Sequence, residues 1–222
     1  MKKLFLLLLV FFPSSLKIPI YRIVFKWEIH QTAKIGFSVL LCDHLILKQG
    51  SVIGSLTVVK GISLLQLDEK SILGSLNWVS GFPLVESKHF DLDASRNPKL
   101  HIKCHGAVTS RHIIDCTDSV TIGRFATFAG FRSQILTHSI NLKQARQRCS
   151  PVEIGDYCFI GTRSVLLPGA KVPSKSILAA GSVLSETLVE EGGLYGGVPA
   201  RLIKKLELNE YPYMNRTEGY IW

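Results

Sequence analysis

The 222-residue chain is predicted to be all-β, a solenoid of short parallel strands, on three observations. An aliphatic residue recurs at every sixth position, a small residue follows four places after it, and neither a 3.6-residue period nor regular turn clusters compete with that pattern. The clearest stretch divides into Ile154-Gly-Asp-Tyr-Cys-Phe159, Ile160-Gly-Thr-Arg-Ser-Val165, Leu166-Leu-Pro-Gly-Ala-Lys171, Val172-Pro-Ser-Lys-Ser-Ile177 and Leu178-Ala-Ala-Gly-Ser-Val183. Ile154, Ile160, Leu166, Val172 and Leu178 form the aliphatic row; Cys158, Ser164, Ala170, Ser176 and Ser182 form the small one. Three such six-residue faces close one triangular coil. The aliphatic residue points inward, the small one lets the chain turn the corner, and successive coils stack through parallel-sheet hydrogen bonds at roughly 4.8 Å.

Earlier parts of the chain repeat the register. Ile35, Leu41, Leu47, Ile53 and Val59 are the expected inward row, with Ser51, Thr57 and Ser63 at small positions. The row slips by two after Leu65, resumes at Leu67, Leu73 and Val79, and returns as Ile102, Val108 and Ile114, then Ile122 and Phe128. Two stretches break it: Val85 to Leu100, an irregular coil or an acceptor-side loop, and Ser139 to Pro151, an excursion.

Before the repeat, Met-Lys-Lys and nine apolar residues, Leu4 to Phe12, have the outline of a secretory signal without a small-residue cleavage site. Nine helical residues reach roughly 14 Å, too short for a hydrocarbon core of roughly 30 Å. The continuation to Trp27 mixes apolar and basic residues, which suits a segment resting on an anionic membrane surface or a cap on the solenoid, and the two are compatible. The expected organisation is therefore an N-terminal apolar and basic segment (1–33), a β-helix (34–188) with excursion 139–151, and a C-terminal turn, helix and tail (189–222).

The chain carries 26 Lys and Arg against 17 Asp and Glu, and the surplus is local. Six basic residues face one acid, Glu28, in 1–34, and Arg124, Arg132, Lys143, Arg146 and Arg148 face none in 119–152. A nucleic-acid surface would spread its charge with interleaved aromatics. Five cysteines without a CxxC pair suit a reducing compartment and neither a disulfide scaffold nor a zinc ribbon. His101, Cys104, His105, His112 and Cys116 follow no metal-ligand spacing.

From about Lys34 to Lys205 the sequence resembles the hexapeptide-repeat acyltransferases, whose fold is a left-handed parallel β-helix. Three motifs carry the resemblance: Leu136-Thr-His138 before the excursion, the restarts Ile154-Gly155 and Ile160-Gly161, and Leu194-Tyr-Gly-Gly-Val-Pro-Ala-Arg201-Leu-Ile-Lys204. It is closest to the acetyltransferases of bacterial capsule, exopolysaccharide and O-antigen synthesis. It implies transfer of an acetyl group from acetyl-CoA to a sugar hydroxyl, with His138 as general base and Thr162 offering a backbone N–H to the oxyanion. It further implies pantetheine contacts near Thr162 and Ala180, Arg201 and Lys204 on the phosphates of coenzyme A, an amphipathic helix after the Val-Pro-Ala turn, and a homotrimer with sites between prisms. Since acetyl-CoA is a cytoplasmic metabolite, the expected location is the cytoplasm, with peripheral contact to the inner membrane leaflet.

Polar residues where the repeat expects small ones mark further candidates. Arg111 and His112 are expected to meet the acceptor, Asp115 is grouped with them, and Asp115 or Asp118 is expected to orient His138. The competing readings are a non-catalytic solenoid scaffold and a zinc carbonic anhydrase on the same prism. The latter lacks its paired histidines: three residues separate His101 from His105, and six separate His105 from His112.

Overall fold

The computed structural model describes residues 2–84 and 88–219; residues 85–87 of the irregular 85–100 segment and 220–222 of the tail lie outside the described residues. Among those residues the chain winds seven complete coils, each contributing one short strand to each of three parallel faces. Coil 1 runs 28–41, coil 2 44–60, coil 3 64–80, coil 4 99–115, coil 5 120–135, coil 6 152–166 and coil 7 171–184. The first strand of each coil lies on face 1, the second on face 2 and the third on face 3. The prism is a left-handed parallel β-helix.

The inward row is the core. Leu67, Leu73, Val79, Ile102, Val108, Ile114, Ile122, Phe128, Ile160, Leu166 and Leu178 are fully buried, as are the small residues Ser51, Thr57, Cys158, Ser164, Ala170 and Ser176. Burial of side chains this size contributes about 1.5–3 kcal/mol each. One inward position differs from the repeat: Leu40, not Leu41, is buried in coil 1. Only five positions separate Ile35 from Leu40, because the corner Gly36-Phe37-Ser38 closes a residue early, with Ser38 N–H bonding the Gly36 carbonyl at 2.8 Å.

Helices α1 (Lys2–Leu9) and α2 (Ser14–Phe25) close the open end below coil 1. An uncovered coil leaves carbonyls and N–H groups unpaired, and α2 meets them with side chains. Ser14 Oγ donates to the Ile35 carbonyl (2.7 Å) and accepts the Ile35 N–H (2.8 Å), Lys17 Nζ donates to the Gly36 carbonyl (2.5 Å), and Arg22 Nε to the Ile29 carbonyl (2.6 Å). Leu6, Leu9, Ile18, Tyr21 and Trp27 are buried, so this segment is a cap. Its other side is bare: Leu4, Leu8, Phe11, Leu16, Ile23 and Val24 are exposed.

At the opposite end the expected amphipathic helix is absent. Residues 200–205 form a strand that returns antiparallel along Gly193–Gly197, itself added to face 2 beside Ile177–Leu178. Face 2 ends there in unpaired backbone groups, and a returning strand satisfies them where a helix would not. The tail then runs back down the corner between faces 1 and 2. Tyr213 Oη lies 2.8 Å from Thr127 Oγ1 and 3.0 Å from the Cys158 carbonyl, the Arg216 guanidinium stacks 3.8 Å from the Tyr213 ring, and Gly219 N–H bonds His105 Nδ1 at 3.1 Å. Along this corner the rings of His105, Phe125 and Tyr157 stack one above another.

Candidate active site

His138 stands where coil 5 leaves face 3 and the chain departs from the prism. The excursion is an antiparallel hairpin, His138–Asn141 against Arg146–Cys149. It packs on a 3-10 turn, Lys88–Asp93, held by the Arg146–Asp91 ion pair, by Arg148 Nε to Asp93 Oδ2 (3.0 Å) and by Cys149 N–H to the same oxygen (3.0 Å). The irregular segment after coil 3 therefore folds over the corner that carries His138.

Asp115, one coil below at the same corner, fixes the imidazole. Its Oδ2 lies 2.7 Å from His138 Nδ1 and accepts the backbone N–H groups of His138 (3.1 Å) and Thr137 (2.8 Å). Its Oδ1 accepts the Thr117 N–H (3.1 Å) and hydroxyl (2.7 Å). Burial pushes the Asp115 carboxyl upward, but the hydrogen bonds from His138 and Thr117 outweigh it and hold the group below the ordinary carboxylate range. In return the bond to Asp115 raises the His138 pKa above its ordinary value, against the opposing effect of burial. With Nδ1 bonded to a carboxylate, the neutral ring carries its proton there and leaves Nε2 as its unprotonated nitrogen. Asp115 is buried and engaged on both oxygens, so the structure brings it to His138 and leaves it no free oxygen for an acceptor, unlike the grouping expected from sequence. Asp118 turns elsewhere, accepting the N–H groups of Asn97 and Ser119.

The rings of Phe82 and Phe90 flank His138 edge-on, with centroids 5.4 and 6.2 Å away. Arg96, itself buried, holds this segment: its guanidinium donates to the carbonyls of Phe82 (2.7 Å), Thr117 (3.1 Å) and Pro83 (2.7 Å) and lies 4.7 Å from the Phe90 ring. Sequence reading missed Phe82, Phe90, Arg96 and Thr117; the broken period at 85–100 was the one hint. Beside the hairpin an open cavity of about 470 Å³ is lined by His89, Asp91, Ile140, Ala145, Arg146 and Gln147.

His112 is not an acceptor contact. It is buried in the corner of coil 4, where Nδ1 accepts the Ser133 N–H (3.2 Å), Nε2 pairs with Thr109 Oγ1 (2.9 Å) and the ring tilts onto Phe128 at 4.7 Å. Burial pushes its pKa down to about 4, so it is neutral and structural. Arg111, its neighbour, is exposed.

Thr162 and Ala180 lie on the corner between faces 2 and 3, in coils 6 and 7. Neither backbone N–H has a protein acceptor among the described residues, and Thr162 Oγ1 is used to donate to the Phe131 carbonyl at 2.8 Å. His138 lies at the far end of face 3, across a strand on the order of 15 Å long. One chain thus does not bring His138 and Thr162 together. Arg201, paired with Glu186, and Lys204, without an ion pair among the described residues, lie on the returning strand beyond coil 7, and Lys205 pairs with Glu190 at 2.8 Å. No group of His, Cys, Asp and Glu among the described residues is arranged to hold a metal ion.

No family model matches the chain. Over 85 residues it is 33% identical to "Putative acetyltransferase YvoF" of Bacillus subtilis (strain 168), a match spanning 38% of this chain and 48% of that protein, so the chain spans about half the length of this relative. Among solved structures it is similar to a mutant of AntD, an N-acyltransferase from Bacillus cereus, in complex with dTDP-4-amino-4,6-dideoxyglucose and coenzyme A: 14% identity over 90% of this chain and 93% of that one, TM-score 0.50. A hexapeptide-repeat-containing acetyltransferase of Vibrio cholerae is 21% identical over 72% of this chain and 75% of its own, TM-score 0.46. A six-residue period, three parallel faces and this shared architecture together make the chain a hexapeptide-repeat protein of the left-handed β-helix fold.

Proposed function

We propose that the chain is an acyltransferase that moves an acetyl group from acetyl-CoA to a sugar hydroxyl in surface-polysaccharide synthesis. The observation that carries this reading is the Asp115–His138 pair, 2.7 Å apart at the start of the excursion, with Nε2 left to act. An alcohol is a poor nucleophile at neutral pH, and a neutral imidazole is a base of suitable strength. His138 Nε2 takes the hydroxyl proton as the sugar oxygen bonds to the thioester carbonyl carbon. The tetrahedral oxyanion is held by a backbone N–H, for which Thr162 is the candidate. Its collapse breaks the C–S bond, and the imidazolium returns the proton to the departing thiolate. No acyl-enzyme is needed. Arg201 and Lys204 are assigned to the donor phosphates, and the pantetheine arm to the corner that carries Thr162 and Ala180.

Because His138 and Thr162 occupy opposite ends of face 3, the reading requires two chains per site, and we assign a homotrimer. The bare apolar side of α1 and α2, beside the exposed Lys26 and Lys34, is assigned to the surface of the inner membrane leaflet, with the enzyme on the cytoplasmic side. No helix among the described residues is long and apolar enough to cross a membrane. The test is release of coenzyme A from acetyl-CoA in the presence of sugar acceptors, followed by mass spectrometry of the acceptor. Turnover with a newly acetylated hydroxyl supports the reading; a folded, oligomeric protein that neither binds acetyl-CoA nor turns it over leaves the scaffold reading in its place.

A further inference from the structure

The corner between faces 2 and 3 carries a column of arginines. Arg111 in coil 4, Arg132 in coil 5 and Arg163 in coil 6 each occupy the turning position with left-handed backbone, at φ of 63°, 61° and 58°. They are stacked through the sheet edge: Arg132 N–H bonds the Arg111 carbonyl at 2.9 Å, and Arg163 N–H bonds the Phe131 carbonyl at 3.3 Å. Alignment in coil 5 depends on an extra residue. Phe128 and Ile135 are seven positions apart, where Val108 and Ile114, like Ile160 and Leu166, are six apart; the bulge at Gly130 and Phe131 absorbs the surplus and returns Arg132 to the column.

All three side chains are exposed, and none has an ion pair or a side-chain hydrogen bond among the described residues. The other arginines of the acid-free 119–152 stretch contrast with this. Arg124 pairs with Asp156, Arg146 with Asp91 and Arg148 with Asp93. With coils stacked at roughly 4.8 Å, the column sets three uncompensated guanidinium groups along about 10 Å of one edge, a geometry that repels itself unless an anion lies along it.

We propose that this column binds the acceptor and that the acceptor is an acidic glycan, carrying carboxylates or phosphates along its chain. The inference rests on the acyltransferase reading in one respect, the direction in which the donor lies. Arg201 and Lys204 lie beyond coil 7, so a donor reaching from them to Thr162 occupies the upper coils. The column descends from Thr162 the other way, through coils 6, 5 and 4, leaving that length of the edge for a polymer running parallel to the prism axis. Its spacing suits a linear polyanion presenting one charge per repeating unit better than a single compact anion.

The test uses the full-length protein and three fluorescently labelled oligomers: polygalacturonate (carboxylate), poly(glycerol phosphate) (phosphate) and dextran (neutral). Binding is read by anisotropy at low and at raised salt, and acetyl-CoA binding is measured in parallel. The expected result is salt-sensitive binding of one or both acidic oligomers and none of dextran. The triple variant Arg111→Gln, Arg132→Gln, Arg163→Gln should weaken that binding at least about tenfold, the corresponding triple Lys variant should keep most of it, and acetyl-CoA affinity should not move. Equal binding of dextran, or an unweakened Gln variant, overturns the proposal. So does a Gln variant that loses acetyl-CoA affinity, which would give the column to the donor, or one that changes oligomeric state, which would give it to a subunit contact. Acidic oligomers that bind through the column without ever being acetylated leave the site standing and defeat the acyltransferase reading instead.

Discussion

Asp115 Oδ2 lies 2.7 Å from His138 Nδ1, and both oxygens of that carboxylate are saturated by donors from Thr117, Thr137 and His138 itself. The pair is preorganised by the stacking of coil 4 under coil 5, so the ring orientation is set by the solenoid itself. Removing the imidazole should leave the fold intact: His138→Ala is expected to lower turnover by roughly 10² to 10⁴, with an unchanged circular dichroism spectrum. A folded variant with near-normal rate excludes His138 as the base.

Asp115→Asn should act through the pH profile. The Asp115 bond raises the His138 pKa above its ordinary value, and under the proposed mechanism His138 acts as the neutral base, so the rate should rise with pH along a limb centred above the ordinary histidine value. Without the carboxylate that limb should move to lower pH and the plateau should fall. An unmoved limb would mean that His138 is not the titrating group. The same linkage affects stability: a histidine whose pKa is raised on folding contributes stability that is complete below its unfolded value and is lost as pH rises through the folded one.

Arg96→Met should release the segment over His138. Three carbonyls lose their donor, at a cost of about 2–4 kcal/mol, and the aromatic flank of Phe82 and Phe90 loosens. Thermal denaturation should register the loss, and acceptor KM should rise more than the KM for acetyl-CoA.

Hybrid oligomers test the shared site. His138→Ala chains and Arg201→Glu, Lys204→Glu chains should each be nearly inactive alone. After joint unfolding and reassembly part of the activity should return, because some interfaces combine an intact base with an intact donor side. Light scattering should report about 74 kDa, three times 24.7 kDa. No recovery in verified hybrids would place the whole site on one chain.

The cap should have two separable roles. Ser14→Ala removes both hydrogen bonds to Ile35 and should destabilise the first coil by about 1–2 kcal/mol. Changing the exposed Phe11 and Ile23 to Gln should leave stability within about 0.5 kcal/mol while weakening sedimentation with anionic vesicles. Equal vesicle binding by the two proteins would refute the assigned membrane contact.

The six-residue period made the prism legible because an inward position tolerates one class of side chain only, and His138 stood out beside a break in that period. Its partner was harder to see. Asp115 precedes it by 23 residues, and only the vertical stacking of coils brings them together, so sequence could offer Asp115 and Asp118 alike. The arginine column was hidden by the extra residue in coil 5, which takes Arg132 out of register with Arg111 and Arg163 along the chain while the fold restores it in space. The returning strand 200–205 depended on a demand made by the exposed sheet edge, which no local propensity records.

A stack of coils is close to a one-dimensional system, in which each layer answers only to its neighbours and can fray from either end. The tail that passes from the strands beyond coil 7 back to His105 in coil 4 changes that connectivity, since Tyr213, Arg216 and Gly219 tie it to coils 6, 5 and 4 while the strand Gly193–Gly197 pairs with coil 7. Fraying of the upper layers must then release the strap as well, and the coils above Thr162, where the donor is assigned, open together with those below it or not at all. The strap makes the upper half of the prism a single cooperative unit.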